Sequence, residues 1–414
     1  MEVRPGYKQT EAGVIPEQWD VSTVGQEFEV KLGKMLDAER NIGTPKPYLG
    51  NKAVQWDRID VSDLPTVPMS RVDIEKYRLQ PGDLLVCEGG EVGRCAIWDA
   101  PVEECYYQKA LHRLRPRRGF DPRVMAALLR SWSDGGLLSN YVTQTSIAHL
   151  PREKFMEVPM PVPSAAEQRA IAAALSDMDA LLAGLDQLIA KKRDLKQAAM
   201  QQLLTGQTRL PGFQGEWAVK RLGDLADVKT GPFGSSLHES DYVPDGTPII
   251  TVEHLGKFGV EHFNLPMVSE PDRRRLQVYS LDPGDIVFSR VGSVDRNALI
   301  RPSEAGWLFS GRLLRVRSDR RQAYAPFLSY QFHSNPFKVM VRSVAVGQTM
   351  ASLNTQILKR IKVTLPSLEE QIAIAAILSD MDTELNTLEA RRDKTHALKQ
   401  AMMQELLTGR TRLV

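Results

Sequence analysis

Two stretches of the chain share one hydrophobic rhythm. Apolar side chains recur at Ile171, Leu175, Met178, Leu182, Leu185 and Ile189, in steps of four and three, and again at Ile374, Leu378, Met381, Leu385 and Leu388. A four–three alternation lines such side chains along one narrow stripe of an α-helix, the seam of a coiled coil. Both stretches open alike. Ser164-Ala165-Ala166-Glu167 and Ser367-Leu368-Glu369-Glu370 each follow a proline and read as S-x-x-E capping boxes. Both close on Leu-Leu-Thr-Gly, which sets Gly206 and Gly409 where a helix end needs positive φ. Polar residues such as Arg391 and Arg392 loosen the seam before Leu195, Leu203, Leu398 and Leu406 resume it. Roughly 40 residues at 1.5 Å each predict a rod of about 60 Å.

The likeness goes beyond rhythm. Pro163–Leu210 and Pro366–Leu413 align without a gap at an offset of 203, with 29 of 48 positions identical. One structural unit therefore occurs twice. Each seam needs a cover. Either the other copy supplies it, as an antiparallel pair about a pseudo-two-fold axis, or each helix packs on its own neighbouring domain.

The segments outside these helices repeat weakly. Leu79-Gln80-Pro81-Gly82-Asp83-Leu84-Leu85-Val86 matches Leu281-Asp282-Pro283-Gly284-Asp285-Ile286-Val287-Phe288 at an offset of 202, and Gly90 and Arg94 match Gly292 and Arg296. Leu111–Arg115 matches Leu313–Arg317, and Trp19–Gly25 matches Trp217–Gly223. Pro-Gly-Asp is a turn signal and the apolar run after it a strand signal. Val252, Ile286–Phe288 and Leu313–Val316 read as similar strands, with short helices at Pro122–Ser131 and Tyr324–Phe332. The fold class is α+β: two globular β-rich domains, each followed by a long helix. The divisions predicted are 1–163, 164–210, 211–365 and 366–414. The helices have stayed alike while the domains have diverged, as expected of a part that docks one partner twice beside a part that reads two different targets.

With 414 residues and 42% hydrophobic composition, the chain can bury two or three cores. It has no apolar leader and no run of about 18 apolar residues, so neither a signal peptide nor a membrane span is expected. Cys87, Cys95 and Cys105, spaced by eight and ten, fit neither a zinc ribbon nor a disulfide framework and suggest reduced thiols in a cytoplasmic protein. The net charge of +2 is unevenly spread: residues 211–365 hold 20 basic and 15 acidic residues, whereas residues 1–163 hold 21 and 23. A surface for nucleic acid is then a local patch.

Catalytic patterns are missing. There is no G-x-x-x-x-G-K-[ST] phosphate loop, and Gly89-Gly90-Glu91-Val92-Gly93 is only a turn-rich stretch. Asn335-Pro336-Phe337 lacks the second proline of an amino-methyltransferase loop, and Glu253-His254-Leu255 lacks the lysine that a nuclease cluster would set after Pro244-Asp245. His254 and His262 stand eight apart and suit a core or solvent role better than a metal. No catalytic residue and no metal ligand is assigned.

Basic residues gather instead. Lys109, Arg113, Arg115, Arg117 and Arg118 fall within ten residues free of acids, and Arg312, Arg315, Arg317, Arg320 and Arg321 occupy the matching stretch. On a strand, Arg113, Arg115 and Arg117 share a face, as do Arg315 and Arg317. Arg273, Arg274 and Arg275 form another cluster, and Arg94, Arg290 and Arg296 follow the Pro-Gly-Asp strands. Such arrays suit phosphates, with a few arginines left to read guanine; a solvated sheet face is the alternative. Lys229-Thr230-Gly231-Pro232-Phe233-Gly234-Ser235-Ser236 is either a phosphate-facing loop, with Ser235 and Ser236 as donors, or an ordinary connection.

The constellation resembles the DNA-specificity subunits of type I restriction–modification systems. The most specific elements are Pro163-Ser164…Glu167-Gln168, Leu365-Pro366-Ser367…Glu370-Gln371, the two Leu-Leu-Thr-Gly ends, the Pro-Gly-Asp turns and Leu210-Pro211-Gly212-Phe213…Gly215-Glu216-Trp217. The resemblance covers nearly the whole chain. It implies two target-recognition domains separated by two long helices that form an antiparallel coiled coil with internal pseudo-two-fold symmetry. Each domain would read one half of a bipartite, asymmetric double-stranded DNA site. The helices would dock two methyltransferase subunits that methylate adenine, and translocating restriction subunits would complete the assembly. S-adenosylmethionine, ATP and magnesium would sit on those partners, with no cofactor in this chain. Half-sites one helical turn apart lie about 34–36 Å from each other, within reach of a rod of about 60 Å. The rival functions are a self-contained modification or restriction enzyme, which the missing motifs oppose, and a coiled-coil adaptor that binds no DNA, which the aligned arginines oppose.

Overall fold

The computed structural model describes residues 4–413 except 38, 40, 145–147, 233–236, 257–258 and 346–350. The chain folds as two compact units, Met1–Asp186 with Arg391–Val414, and Gln187–Ala390. Each long helix is therefore shared: its first part belongs to one unit and its second part to the other.

In unit 1, the strands β1 (Phe28–Leu32), β2 (Thr44–Leu49) and β3 (Thr66–Met69) lead to the short helix α1 (Arg71–Tyr77). Then come β4 (Leu84–Cys87), β5 (Cys95–Ile97), β6 (Tyr106–Tyr107), β7 (Leu111–Pro116), α2 (Pro122–Asp134) and the long α3 (Ala165–Leu203). One antiparallel sheet has the order β5-β4-β7-β1, and a second has the order β6-β2-β3 with β6 parallel to β2.

Unit 2 repeats this plan with β8 (Ala226–Thr230), β9 (Thr247–Ile250), β10 (Met267–Val268), α4 (Glu270–Arg275), β11 (Ile286–Ser289), β12 (Asn297–Leu299), β13 (Leu308–Phe309), β14 (Leu313–Ser318), α5 (Ala325–His333) and the long α6 (Leu368–Leu407). Its main sheet has the order β12-β11-β14-β8, and β9 pairs antiparallel with β10 and parallel with β13. The two domains thus share one topology although their sequences have drifted apart. Val252 is an exception to the strand reading: β9 ends at Ile250, and a Thr251-capped 3₁₀ turn takes Val252–His254.

A short two-stranded sheet closes each domain at the foot of its helix. Asp20–Thr23 pairs with Pro159–Val162, and Ala218–Arg221 pairs with Lys362–Leu365. The chain therefore enters and leaves each domain at one place, just before the helix starts. Both proposed covers for the seam are found. In unit 1, Ile171, Ala172 and Leu175 of α3 share a core with Phe28, Leu114 and Phe155 of the domain and with Met403, Leu406 and Leu407 of α6. In unit 2, Ile374, Ala375 and Leu378 pack with Leu314, Phe327 and Leu358 and with Leu203 and Leu204 of α3. Each fully buried aliphatic or aromatic side chain contributes about 1.5–3 kcal/mol. Leu185, Ile189 and Leu385 are buried along the middle of the rods, whereas Met178, Leu182, Met381 and Leu388 are half-buried.

His112 marks the price of a polar group in such a core. Its ring lies 5.3 Å from Phe155 and its Nε2 donates to Leu150 O at 2.9 Å, while Nδ1 has no partner. Burial pushes its pKa down to about 4. Since the folded value lies below that of the unfolded chain, falling pH protonates the unfolded chain first. Stability of unit 1 should therefore drop as pH falls from about 6.5 to about 4, by roughly 3 kcal/mol at most. Urea midpoints across that window should flatten in His112→Gln, and an unchanged slope would refute the assignment.

Candidate nucleic-acid interface

The symmetry is clearest in the polar contacts of the helices. Glu167 and Glu370 are buried, and each backbone N–H donates to its capping serine: Glu167 N to Ser164 Oγ at 3.2 Å and Glu370 N to Ser367 Oγ at 3.3 Å. Their carboxylates do not complete the boxes. Glu370 takes both arms of Arg209 at 2.6 Å, and Glu167 takes Arg412 in the same way. Trp19 Nε1 also donates to Glu167, at 2.8 Å. Gln168 accepts from Asp121 N and donates to Pro163 O, both at 2.9 Å, while Gln371 accepts from Tyr324 N at 2.8 Å and donates to Pro366 O at 3.1 Å. Lys196 pairs with Asp382, and its repeat partner Lys399 pairs with Asp179. In both units, positions rise along one helix as they fall along the other, so the helices run antiparallel there. These residues were missed as a set. Their signal was present, since Glu167, Gln168, Asp179, Lys196 and Arg209 all recur 203 positions on.

The arginines of the sheets have structural partners as well. Arg113 is only 2% exposed at its side chain and binds Glu29 of β1 at 2.9 Å. Arg115 grips Asp83 with Nε at 2.5 Å and Nη2 at 2.9 Å, and donates to Arg78 O. Unit 2 repeats both: Arg315 binds Asp227 at 2.8 Å, and Arg317 grips Asp285 with two bonds of 2.7 Å and donates to Ser280 O. Asp83 and Asp285 in turn accept from Gln80 N and Asp282 N, both at 2.8 Å, closing the Pro-Gly-Asp turns. The Asp83 and Asp285 bonds hold Arg115 and Arg317 above their usual pKa. The Nε and Nη2 edge of each guanidinium is thus committed to a buried carboxylate. Arg113, Arg115, Arg315 and Arg317 thus staple their sheets, a role the sequence reading did not foresee.

The ten-residue basic run is also split. Lys109 precedes β7 and Arg117 and Arg118 follow it, so six strand residues, about 20 Å, separate them. Arg117 and Arg118 are exposed beside Glu27, with Arg118 Nη1 at 3.7 Å from its carboxylate. Lys109 lies instead on a rim of turns at one end of the sheet. There Lys109 N donates to Lys34 O, Glu88 N to Ala110 O, and Gly89 bridges His149. The corresponding rim of unit 2 has Arg290 N donating to Arg312 O and Val291 bridging Ser352. Gly90 and Gly292 turn these rims with φ of 79° and 74°.

Arg94 and Arg296 support the rims from below. Arg94 donates to Asn51 O at 3.1 Å and meets Glu91 at 3.3 Å, while Arg296 donates to Leu255 O. Arg273 and Arg274 are exposed on α4 and bind Glu270, whose carboxyl those two guanidinium bonds hold down to about 2. Ser235 and Ser236 lie outside the described residues. The rims therefore bring together Lys109 in one unit and Arg290 and Arg312 in the other.

The three cysteines are free and buried, and burial pushes the Cys105 thiol up to about 11. Among the described residues, no cluster of three or more His, Cys, Asp or Glu could hold a metal, and no helix is long and apolar enough to cross a membrane.

Comparison with known proteins places this geometry. The sequence profile of the type I restriction modification DNA specificity domain matches residues 16–191 and 214–396. The MjaVIII type I restriction enzyme specificity subunit of Methanocaldococcus jannaschii is 23% identical over 98% of this chain and 96% of its own length. The EcoKI type I restriction enzyme specificity subunit of Escherichia coli is 22% identical over 96% of this chain and 89% of its own. In fold, the crystal structure of the type I restriction–modification system S subunit from M. genitalium matches with a TM-score of 0.60 and 17% identity, covering 98% of both chains.

Proposed function

Because the chain belongs to the type I restriction modification DNA specificity family, we propose that it is the non-catalytic subunit that reads double-stranded DNA at two unlike half-sites, one per unit, and assembles with methyltransferase and restriction subunits. The observation that carries this reading is the contrast within the chain. One topology is used twice, with the same helix contacts in both copies, yet the rims differ in chemistry. Unit 1 presents Glu88 and Ala110 where unit 2 presents Arg290 and Arg312, each pair joined by the same backbone bond. Like scaffolds with unlike rims suit two readers of different bases.

The helices supply the docking surface in this reading. Leu181, Leu188 and Leu195 recur every seven residues on α3 and stay exposed, as do Ile372 and Ile377 on α6. They are the positions to cover with methyltransferase helices. S-adenosylmethionine, ATP and magnesium belong to the partners, two methyltransferase subunits and the translocating restriction subunits. The domain divisions at 163, 210 and 365 mark reader and spacer parts in this scheme.

The test is DNA binding by the purified chain with its methyltransferase partner across a salt series. Lys109→Ala and Arg312→Ala should each weaken binding and lower the salt slope by about one. Arg113→Ala should leave the slope as it is, because that side chain is buried on Glu29. Methylome sequencing of a host carrying the system then reports the two half-sites. A residue insertion in α3 should alter their spacing and not their bases. Binding without salt dependence, or a spacer insensitive to insertion, would refute the proposal.

A further inference from the structure

One corner of unit 1 is apolar where a soluble surface is usually polar. Met35 and Leu36 follow β1, Ile42 precedes β2, and Val72 sits on α1; all four are between 43% and 73% exposed. Bonds from the described residues beside them hold their backbones near one another. Lys34 Nζ binds Asp73 at 2.9 Å, which ties the stem of Met35 to the helix that carries Val72. Asn41 Nδ2 donates to Met35 O at 3.2 Å, and Asn41 N donates to Asp37 O at 3.0 Å. Gly43, at φ +124°, lies so close to β3 that a Cβ there would stand 2.1 Å from Met69 O. The corner rests on a small core of Val67, Met69 and Tyr106 backed by Ile74 and Tyr77. Ser70 and Asp73 fix the start of α1 with a reciprocal capping box. Four apolar side chains are thus held out on a rigid base.

Unit 2 has the same corner with other chemistry. Its α4 follows β10 as α1 follows β3, and Ser269 caps Asp272 as Ser70 caps Asp73. Where α1 has Val72, Ile74 and Glu75, α4 has Pro271, Arg273 and Arg274. The Arg–Glu270 pairs there are exposed, so little free energy holds them against a phosphate. One scaffold position is therefore apolar in one unit and cationic in the other.

We propose that the Met35–Leu36–Ile42–Val72 corner contacts thymine methyl groups in the major groove of DNA, within the half-site that unit 1 reads. This rests on the DNA-reading function above. The major groove presents one apolar feature for a protein to read, the thymine 5-methyl group. The setting favours DNA over a protein partner. The apolar tips stand on a loop and on a helix start, and exposed Arg71 and Lys76 share the helix with Val72, as does exposed Glu75. Lys109 is joined to the corner directly, since its backbone N–H donates to Lys34 O at 2.8 Å. Apolar contacts to bases framed by phosphate-seeking cations are a common pattern at DNA surfaces.

The experiment uses the full chain with its methyltransferase partner and duplexes carrying the site found by methylome sequencing. Uracil replaces thymine in one half-site at a time; it keeps the pairing edge and lacks the methyl. Unmodified duplex must bind first, and its failure to bind would overturn the DNA reading itself. Uracil in one half-site should weaken binding on the order of fourfold per thymine, the value of one buried methyl(ene). Met35→Ser with Ile42→Ser should abolish that discrimination, and Val72→Ser, on a separate element, should reduce it. Arg273→Ala should weaken binding while the thymine–uracil ratio stays as in the wild type. The proposal is overturned if neither half-site discriminates thymine from uracil, or if the serine variants still do. It is likewise overturned if those variants lose only the methyltransferase, which would make the corner a protein contact.

Discussion

Asp382→Ala should destabilise unit 2 by about 3 kcal/mol, the low end of what breaking a buried ion pair costs. Lys196 is 5% exposed at its side chain and pairs with Asp382, which also accepts the Tyr330 hydroxyl at 2.7 Å. The ammonium lies 5.5 Å from the Tyr330 ring, and burial together with Asp382 holds the phenol protonated well beyond its usual range. With the carboxylate gone, the buried Lys196 ammonium loses the Asp382 charge that offsets its desolvation. The repeat supplies an internal control. Asp179, the counterpart of Asp382, is 47% exposed, and its Lys399 has a second acid, Asp57, at 3.7 Å. Asp179→Ala should therefore cost under about 1 kcal/mol. Urea unfolding with hydrogen exchange at unit-specific amides separates the two. Equal losses would show that position in the repeat, not burial, sets the cost. Lys196→Met with Asp382→Leu should recover most of the stability, because an apolar pair of similar volume needs no desolvation.

A comparable loss is expected from Gly409→Val, about 3 kcal/mol from positive φ and crowding together. Gly409 sits at φ +65°, and a Cβ there would lie 2.4 Å from Pro16 Cγ and 3.0 Å from Trp19 Cζ2. Its carbonyl also accepts the Tyr7 hydroxyl at 2.8 Å. Gly206→Val shares the strain, at φ +72°, but its nearest neighbour is Trp217 Cε2 at 3.2 Å. It should cost about 1 kcal/mol less. Protease cleavage near Tyr7 should accelerate in Gly409→Val alone. If both valine variants behaved alike, close packing on Pro16 would contribute nothing.

The sequence reading succeeded where the signal was local or repeated. Proline and serine before the helices, glycine after them and the four–three steps between them describe events within a few residues, and both helices stand where they point. It failed where partners lie far apart in the chain. Glu167 looked like the end of its own capping box, but its carboxylate binds Arg412, 245 residues away. Arg113 and Arg115 read as a phosphate-facing run, and their ion pairs went unseen because the acids, Glu29 and Asp83, lie 84 and 32 residues earlier. The repeat could have found the second pair, since Arg317 and Asp285 are 32 apart as well. Val252 failed for another reason: an apolar residue beside a strand says nothing about Thr251, whose hydroxyl meets His254 Nδ1 at 3.0 Å and turns the chain. The corner at Met35 and Ile42 has no period at all, and only the bonds that pin its turns make it visible.

Unit 1 takes part of its core from Met403, Leu406 and Leu407, and the Tyr7 hydroxyl closes on Gly409 across 402 residues. This order has a consequence for biosynthesis. A ribosome delivers the first domain early and the helix segment that covers it late, so the apolar foot of α3 stays open during translation of everything between. The second domain, by contrast, follows the α3 segment it packs on and needs only the start of α6. The nascent chain should thus bury unit 2 before unit 1, against the usual N-to-C order. Messages interrupted after the second domain would yield chains with a bare Ile171–Leu175 face, a natural target for chaperones and proteases.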